Sequence, residues 1–153
     1  MDPDARILGW FSNIAANSYG ITSPRDPFYN CIAWAANDIY KWWWPGKYGY
    51  WPPTATKAET VDAFVSAFAT LGFIQCANGD LIADVEKLAL YVDQDGKPTH
   101  MARQLSSGKW TSKLGKWEDI EHDTVDSLTG DDPAYGRIAV FFQRERRPTI
   151  APH

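Results

Sequence analysis

The apolar residues of this chain change their spacing at Gly72, and this change constrains the fold more than any other feature. Before Gly72, residues Val61, Phe64 and Phe68 recur at the spacing of one helix face. After it, short apolar segments alternate with turn residues, as in antiparallel strands. We therefore expect an α+β fold in which N-terminal helices pack on a small, mostly antiparallel sheet.

Capping signals place the predicted helices. Asn30 is predicted to cap a helix that begins at Cys31 and ends before Pro45 and Gly46. Thr56 to Glu59 reads as a capping box, which predicts a helix that Gly72 ends. The predicted strands are residues 73–76, 87–92, 99–105, 109–114 and 137–143; residues 4–16 and 117–128 are predicted as weaker helices, and residues 17–27 as a loop.

Length and charge narrow the classes of function. With 153 residues, the chain is predicted to be a single domain, residues 1–153, in which residues 144–153 are a polar, frayed tail. The net charge of −4 argues against a nucleic-acid partner, which would need a basic face. No apolar run reaches the roughly 20 residues of a membrane helix, so no membrane partner is expected. No secretory signal and only two cysteines predict a cytoplasmic protein with free thiols.

Cys31 and His100 carry the strongest chemical signal. A cysteine at the start of a helix gains thiolate character from the free amides there, and a neighbouring imidazole adds to it. His100 opens a predicted strand further along the chain. A cysteine on a helix followed by a histidine on a sheet is the order that thiol catalysis uses, with a third polar group to hold the imidazole.

Three segments resemble a known family. The segments are Tyr29–Ala35 around Cys31, Pro98–Arg103 around His100, and Gly108–Gly115 on the next strand. They resemble the small bacterial papain-like proteins of the NlpC/P60 and CHAP groups. The resemblance implies a papain-like fold, Cys31 as nucleophile, His100 as base and Ser112 as the third catalytic residue. No metal site is expected, because the Cys and His residues include no short-spaced pair of ligands, and no cofactor is expected.

The third catalytic residue has competitors. A hairpin closed at Ser107 and Gly108 is expected to place Thr111 and Lys113 on the side of His100 and to turn Ser112 away, unless a bulge reverses the faces. Glu118, Asp119 and His122 are the competitors of Ser112, from the segment that follows.

The aromatic residues supply the predicted substrate contacts. The chain has eight Trp, and three of them, Trp42 to Trp44, are adjacent. On a helix these three would point in different directions, so one or two would line a cleft beside Cys31, or they would pin the following loop to the sheet. Cys76 is expected to be a buried apolar residue. The predicted substrate-binding residues are Asn30, Trp34, Trp43 and Lys113.

The sequence thus predicts a cysteine-dependent hydrolase or acyl transferase that acts on the amide or ester bond of a peptide, protein or other amide-bearing substrate. The backbone amide of Cys31, with Asn30, is expected to hold the oxyanion. The alternative is a non-enzymatic module that binds another protein through a Trp-rich surface, as an effector, inhibitor or counter-defence factor would. The sequence predicts no oligomeric state.

Overall fold

A single antiparallel sheet organises the chain. The computed structural model describes residues 2–147. Its seven strands follow the order β1-β6-β5-β4-β3-β7-β2, and every pairing is antiparallel. The predicted α+β class with a mostly antiparallel sheet is therefore confirmed. The elements are α1 (Pro3–Trp10), β1 (Tyr19–Ser23), α2 (Cys31–Ala35), α3 (Val61–Ala69), β2 (Ile74–Cys76), β3 (Val85–Val92), β4 (Pro98–Gln104), β5 (Trp110–Lys113), β6 (Asp119–His122), a 3-10 helix (Val125–Leu128) and β7 (Arg137–Glu145).

The strand registers define two faces of this sheet. Because side chains alternate along a strand, residues paired directly across neighbouring strands share a face. The helix face contains Leu88, Leu90, Met101, Arg103, Thr111, Lys113 and Asp119. The histidine face contains Ala89, Tyr91, His100, Ala102, Ser112, Ile120 and His122.

Each face has its own apolar core. Helices α2 and α3 pack on the helix face, and Trp43 and Trp51 complete that core. Helix α1 covers the histidine face with Ile7, and Phe11, which directly follows the helix, packs there too. The sheet is thus the middle of three layers, which buries both of its sides.

Helix α3 agrees with its sequence prediction in its buried face and its end, but not in its start. Its cap is Thr60, whose Oγ1 accepts from the Ala63 amide at 3.1 Å, so the predicted capping box at residues 56–59 is wrong. The helix ends before Gly72, whose φ of 90° is the left-handed stop that was predicted. Phe64 and Phe68 are buried on the sheet as expected. The apolar stripe is therefore right, but the start of the helix is four residues later.

Helix α2 is much shorter than its apolar pattern predicts. It ends at Ala35, and Asn37 takes a left-handed φ of 63°. The side chain of Asn30 explains the turn, because its Oδ1 accepts from the Trp43 amide at 3.1 Å and its Nδ2 donates to the Trp43 carbonyl at 2.7 Å. These two bonds bring the chain back to the start of α2. Trp43 is consequently not helical, and it forms an isolated bridge with Tyr50.

The edge beside β5 was missed by the sequence analysis. Residues 19–23 were predicted as a loop and residues 117–128 as a helix, yet β1 and β6 pair with each other, for example Tyr19 with His122. The predicted tail also starts too early, because Arg144 lies in β7 and forms an ion pair with the buried Glu86 at 3.0 Å. Residues 148–153 of that tail lie outside the described residues.

No helix between residues 2 and 147 is both long and apolar enough to cross a lipid bilayer.

Candidate functional site

Asn30 and Cys31 form the start of α2, and both are buried. Asn30 Oδ1 accepts from the Ala33 amide at 3.2 Å, which is the predicted N-cap contact. The Asn30 amide group also binds both backbone atoms of Trp43, so its donor and acceptor are already used within the fold. Asn30 therefore positions Cys31, and one of its two side-chain N–H donors is used within the fold.

The groups around the Cys31 sulfur change the pKa of its thiol in opposite directions. Burial comes first and raises the pKa of the thiol to about 11. Backbone hydrogen bonds from Met101, Ile32 and Cys31 itself lower that pKa, and so does the charge of Lys113. Because Met101 is the central residue of β4 and directly follows His100, the Cys31 sulfur lies beside the middle of that strand.

The hairpin between β4 and β5 has a different register from the predicted one. Gln104 pairs with Trp110 and Arg103 with Thr111, so Ser112 shares the face of His100, while Lys113 lies on the opposite face. The prediction that Thr111 and Lys113 accompany His100 is therefore wrong. The reason is the three-residue loop closed by Leu105 and Lys109, in which Gly108 has a φ of 94°.

His100 is buried among aromatic rings on the histidine face. Its imidazole stacks on the ring of Tyr135 at 4.0 Å with an interplanar angle of 2°. The edge of Tyr91 approaches it at 5.2 Å. Neither His100 ring nitrogen has a hydrogen-bond partner among the described residues, so His100 is not bonded to Cys31. Burial lowers the pKa of His100 well below its usual value, and the nearby His122 lowers it further.

Gly136 explains how Tyr135 reaches His100. Gly136 has a φ of 89°, and a Cβ at this position would lie 1.9 Å from the Val92 carbonyl oxygen. Only glycine allows this close approach, which holds the 130–136 loop against β3. Tyr135 has no local sequence signal of function and was therefore not predicted as a site residue.

Ser112 contacts His122 instead of His100. Its Oγ lies 2.8 Å from His122 Nε2, and His122 Nδ1 lies 2.8 Å from the Thr124 carbonyl oxygen. Since a carbonyl only accepts, Nδ1 carries the proton and Nε2 accepts from the Ser112 hydroxyl. Burial lowers the pKa of His122 to about 4, so this imidazole is neutral near pH 7.

Glu118 and Asp119, the two carboxylates considered as alternatives to Ser112, do not contact the His100 ring nitrogens. Glu118 forms a buried ion pair with Arg6 of α1. Asp119 accepts from the Tyr29 hydroxyl at 3.1 Å and from Thr22 Oγ1 at 3.0 Å, on the helix face. Neither carboxylate is hydrogen-bonded to His100.

The predicted substrate-binding residues are all buried. Trp34 Nε1 donates to Thr111 Oγ1 at 2.9 Å, and the guanidinium of Arg103 lies over the Trp34 ring. Trp43 packs against Phe68 in the core of the helix face. Of the eight Trp, only Trp42 is exposed, so the predicted Trp-lined cleft beside Cys31 is absent from the part of the chain that the structure describes. The adjacent residues Trp42 to Trp44 instead hold the loop that follows them against the sheet.

Cys76 differs from its prediction as well. It lies on the edge strand β2, it is only partly buried, and its thiol is 3.4 Å from the Asn78 carbonyl oxygen. Of the two cysteines, Cys31 is thus the more buried.

A cavity of about 920 Å³ lies close to this region but does not contain the predicted pair. It is lined by Thr99, next to His100, and by Ala134 and Gly136, which flank Tyr135. Within residues 2–147, no three metal-ligating side chains form a group that would hold an ion.

Fold and site together define a small α+β domain on one antiparallel sheet, with a buried cysteine at the start of a short helix. A family model described as Domain of unknown function (DUF7689) matches residues 20–143. Because this match covers most of the chain, the protein belongs to that family. No curated protein and no solved structure matches the chain. Cys31, His100, Ser112 and His122 all fall within the matched range.

Proposed function

We propose that the protein is a cysteine-dependent hydrolase or acyl transferase of the small papain-like type, located in the cytoplasm. The observation that supports this most is the place of Cys31. Its sulfur lies at the start of α2, within reach of the amide of Met101, and Met101 is the chain neighbour of a histidine without a hydrogen-bond partner. Cys31 would thus be the nucleophile, backbone amides close to its sulfur would donate to an oxyanion, and His100 would be the candidate base.

The proposed reaction begins at the substrate carbonyl carbon. His100 takes the proton of the Cys31 thiol, and the thiolate then adds to this carbon. The carbonyl π electrons move to oxygen, and the amide of Cys31 donates to the resulting oxyanion. Collapse of this intermediate breaks the bond to the leaving amine or alcohol, which takes a proton from His100. Water or an acceptor amine then attacks the thioester and gives its proton to His100, and the released Cys31 sulfur takes that proton back.

The His100 ring has to leave its stack on Tyr135 for this chemistry, since neither nitrogen is bonded in this structure. Ser112 is bonded to His122, so its proposed part is to fix His122 beside His100. The substrate is an amide-bearing or ester-bearing molecule such as a peptide or protein.

Competitive alkylation of the two cysteines tests this proposal. Iodoacetamide at pH 7, followed by mass spectrometry of peptides, gives a separate rate for Cys31 and for Cys76. Exposure alone favours Cys76, because Cys31 is buried and Cys76 is not. We expect the reverse, with Cys31 at least tenfold faster, and slower labelling of Cys31 alone in His100→Ala. Slower labelling of Cys31 than of Cys76, unchanged in His100→Ala, would overturn the proposal.

The exposed side of the 40–50 loop favours one second candidate, a protein-binding module. Tyr40 and Tyr48 are 77% and 91% exposed, and Trp42 and Tyr50 lie beside them. This surface is richer in Tyr than in Trp, unlike the predicted one. A double variant, Tyr40→Ser and Tyr48→Ser, would abolish capture of a protein partner under this candidate, and Cys31→Ala would not.

A further inference from the structure

Arg103 is a fully buried cation on the helix face, and most of its hydrogen-bond donors are unused. Its Nε donates to the Trp34 carbonyl oxygen at 3.2 Å, and its Cζ lies 5.1 Å from the centroid of the Trp34 ring. Both terminal nitrogens, Nη1 and Nη2, are buried without a hydrogen-bond partner among residues 2–147. These two nitrogens carry four of the five N–H donors of a guanidinium. The group is thus held at one nitrogen, and its outer edge still needs an acceptor.

The Arg103 guanidinium keeps its charge in this place. Burial lowers the pKa of Arg103 to about 10, Glu86 acts in the opposite direction, and Arg146 and Arg144 lower it further. The group is therefore protonated at neutral pH, and it cannot avoid the cost of burial by losing its proton. An unpaired charge in a protein interior is costly, so the free Nη donors favour an anion beside them.

The carboxylate nearest to Arg103 is already paired with other arginines. Glu86 is the diagonal neighbour of Arg103 on the helix face, at a Cα separation of about 7–8 Å. Its carboxylate lies 3.0 Å from Arg144 and 3.9 Å from Arg146, and no ion pair joins it to Arg103 in the described part of the chain. Three guanidinium groups and one carboxylate leave a local charge of +2, although the whole chain has a net charge of −4.

We propose that Arg103, with Arg144 and Arg146 beside it, forms a binding site for a phosphate group. The two Nη nitrogens of a guanidinium match two phosphate oxygens in a bidentate, charge-assisted pair. A phosphate group carries a charge of about −1.5 to −2 near pH 7, which balances the local excess, whereas a carboxylate carries half as much. The ligand is inorganic phosphate or a small molecule that carries a phosphate group. This site does not depend on the thiol chemistry proposed for Cys31.

Arg146 forms the outer side of this site. Its side chain is 22% exposed, whereas that of Arg144 is 6% exposed. Arg146 Nη1 donates at 3.2 Å to the carbonyl oxygen of Gln104, the residue that follows Arg103, so Arg146 lies over this end of β4. Its contact with Glu86 is the longer of the two ion pairs. Arg146 is therefore the group that moves to admit the phosphate, and its guanidinium is placed to bind the same anion.

Thermal unfolding of the full chain in a titration with inorganic phosphate tests the site. Sodium chloride keeps the ionic strength constant, and the variants are Arg103→Met and the control Arg137→Met, which removes an exposed arginine at the start of β7. We expect the Tm of wild type to rise saturably, by about 5 °C or more at roughly 100 times the Kd. Arg137→Met should keep this rise and Arg103→Met should lose it. No saturable rise in wild type, or an equal rise in Arg103→Met, would overturn the proposal.

Arg146→Met keeps the proposal testable if Arg103→Met does not fold, which circular dichroism would reveal. Because Arg146 is partly exposed, its loss should leave the fold intact. We expect the phosphate midpoint to rise about tenfold in Arg146→Met, since one charge-assisted contact is lost. An unchanged midpoint would contradict the place assigned to the site.

Two further ligands define the chemistry of the site under the same conditions. If phenyl phosphate has a midpoint like that of inorganic phosphate, the site accepts a phosphorylated small molecule; if inorganic phosphate alone acts, the site takes the free ion. Either result supports the assignment. Acetate has one charge, so its midpoint should be about tenfold higher or more. An acetate midpoint equal to that of phosphate would overturn the choice of a phosphate group.

Discussion

The two faces of the sheet bury ionisable groups in different ways. On the helix face, Lys113 is buried with two carbonyl oxygens and an aromatic ring around its ammonium, and it stays protonated at neutral pH. On the histidine face, His100 and His122 are buried among rings and a hydroxyl, and both are neutral. The buried ammonium on one face thus keeps its charge, whereas the two buried imidazoles on the other face are neutral.

The difference shows that burial alone does not decide the state of a group. A buried charge is tolerated where dipoles and counter-charges replace its water, and it is lost where only aromatic carbon surrounds it. Asp119 and the Asp26 carbonyl supply that replacement near Lys113, whereas the ring nitrogens of His100 have no hydrogen-bond partner within residues 2–147. A catalytic site that needs a cation next to a neutral base would need both kinds of surroundings.

The largest expected effect comes from removing the apolar cover of the helix face. Phe68→Ala removes a buried ring that packs on Trp43, Phe73 and Phe142, and it should lower the free energy of unfolding by about 3–5 kcal/mol. Urea unfolding measures it. Ile74→Ala, at a position 63% exposed, is the control and should change stability by no more than about 0.5 kcal/mol. Equal effects of the two variants would mean that the core is misplaced.

Acid should destabilise the histidine face specifically. The pKa of His122 is about 4 in the folded chain and 6.5 ordinarily, so between these pH values the unfolded chain binds a proton that the folded chain does not. Stability therefore falls as the pH drops through this window, by about 1.4 kcal/mol per pH unit for one histidine. Urea unfolding at several pH values measures the slope. His122→Asn should remove that part of it, and an unchanged slope would contradict the assignment.

Ser112→Ala tests whether the two faces are independent, because it removes a single hydroxyl from the histidine face. The variant leaves His122 Nε2 buried without its donor, which should cost about 1–3 kcal/mol. Because that donor stabilises the neutral imidazole, the pKa of His122 should also rise, as NMR titration would show. Thr111→Val, the neighbouring position on the helix face, is the matched control and should leave the titration of His122 unaltered. A shift in both variants would indicate that the faces are not independent.

The smallest expected effect concerns the ring above His100. Tyr135→Ala removes a stacked pair, which contributes about 0.5–1.5 kcal/mol beyond burial, and admits water to the imidazole. The pKa of His100 should then rise towards its usual value. Tyr135→Phe retains the ring and should titrate like wild type in the NMR spectrum. If Tyr135→Ala also titrates like wild type, other groups keep His100 dry.

Features that depend on local sequence were predictable. The buried stripe of α3 follows from the spacing of Phe64 and Phe68, and Gly72 marks its end. Asn30 was recognised as a cap because the capping contact involves residues three apart. The central strands were found for the same reason, since continuous apolar segments identify strands that are covered on both sides.

Features that depend on distant contacts were not predictable. The pairing of β1 with β6 joins residues about a hundred positions apart, and neither strand has a strong apolar pattern. The face of Ser112 depends on one residue of loop length, because a shift of one position reverses every side chain of a strand. The stack of Tyr135 on His100 depends on the path of the 130–136 loop, which no local pattern reveals.

The short pairing of β4 with β5 has a mechanical consequence. Only Arg103–Thr111 and Gln104–Trp110 join these strands in the ladder, whereas β3 and β7 are joined along almost their whole length. The sheet is therefore two stiff ribbons, β1-β6-β5 and β4-β3-β7-β2, that meet at a narrow hinge, with the first turn of α2 wedged at its open end. Local unfolding starts where the fewest hydrogen bonds must break. Among the central strands, amide exchange should be fastest along this hinge, and we expect a transient parting of the ribbons to bring the sulfur buried at their junction to solvent.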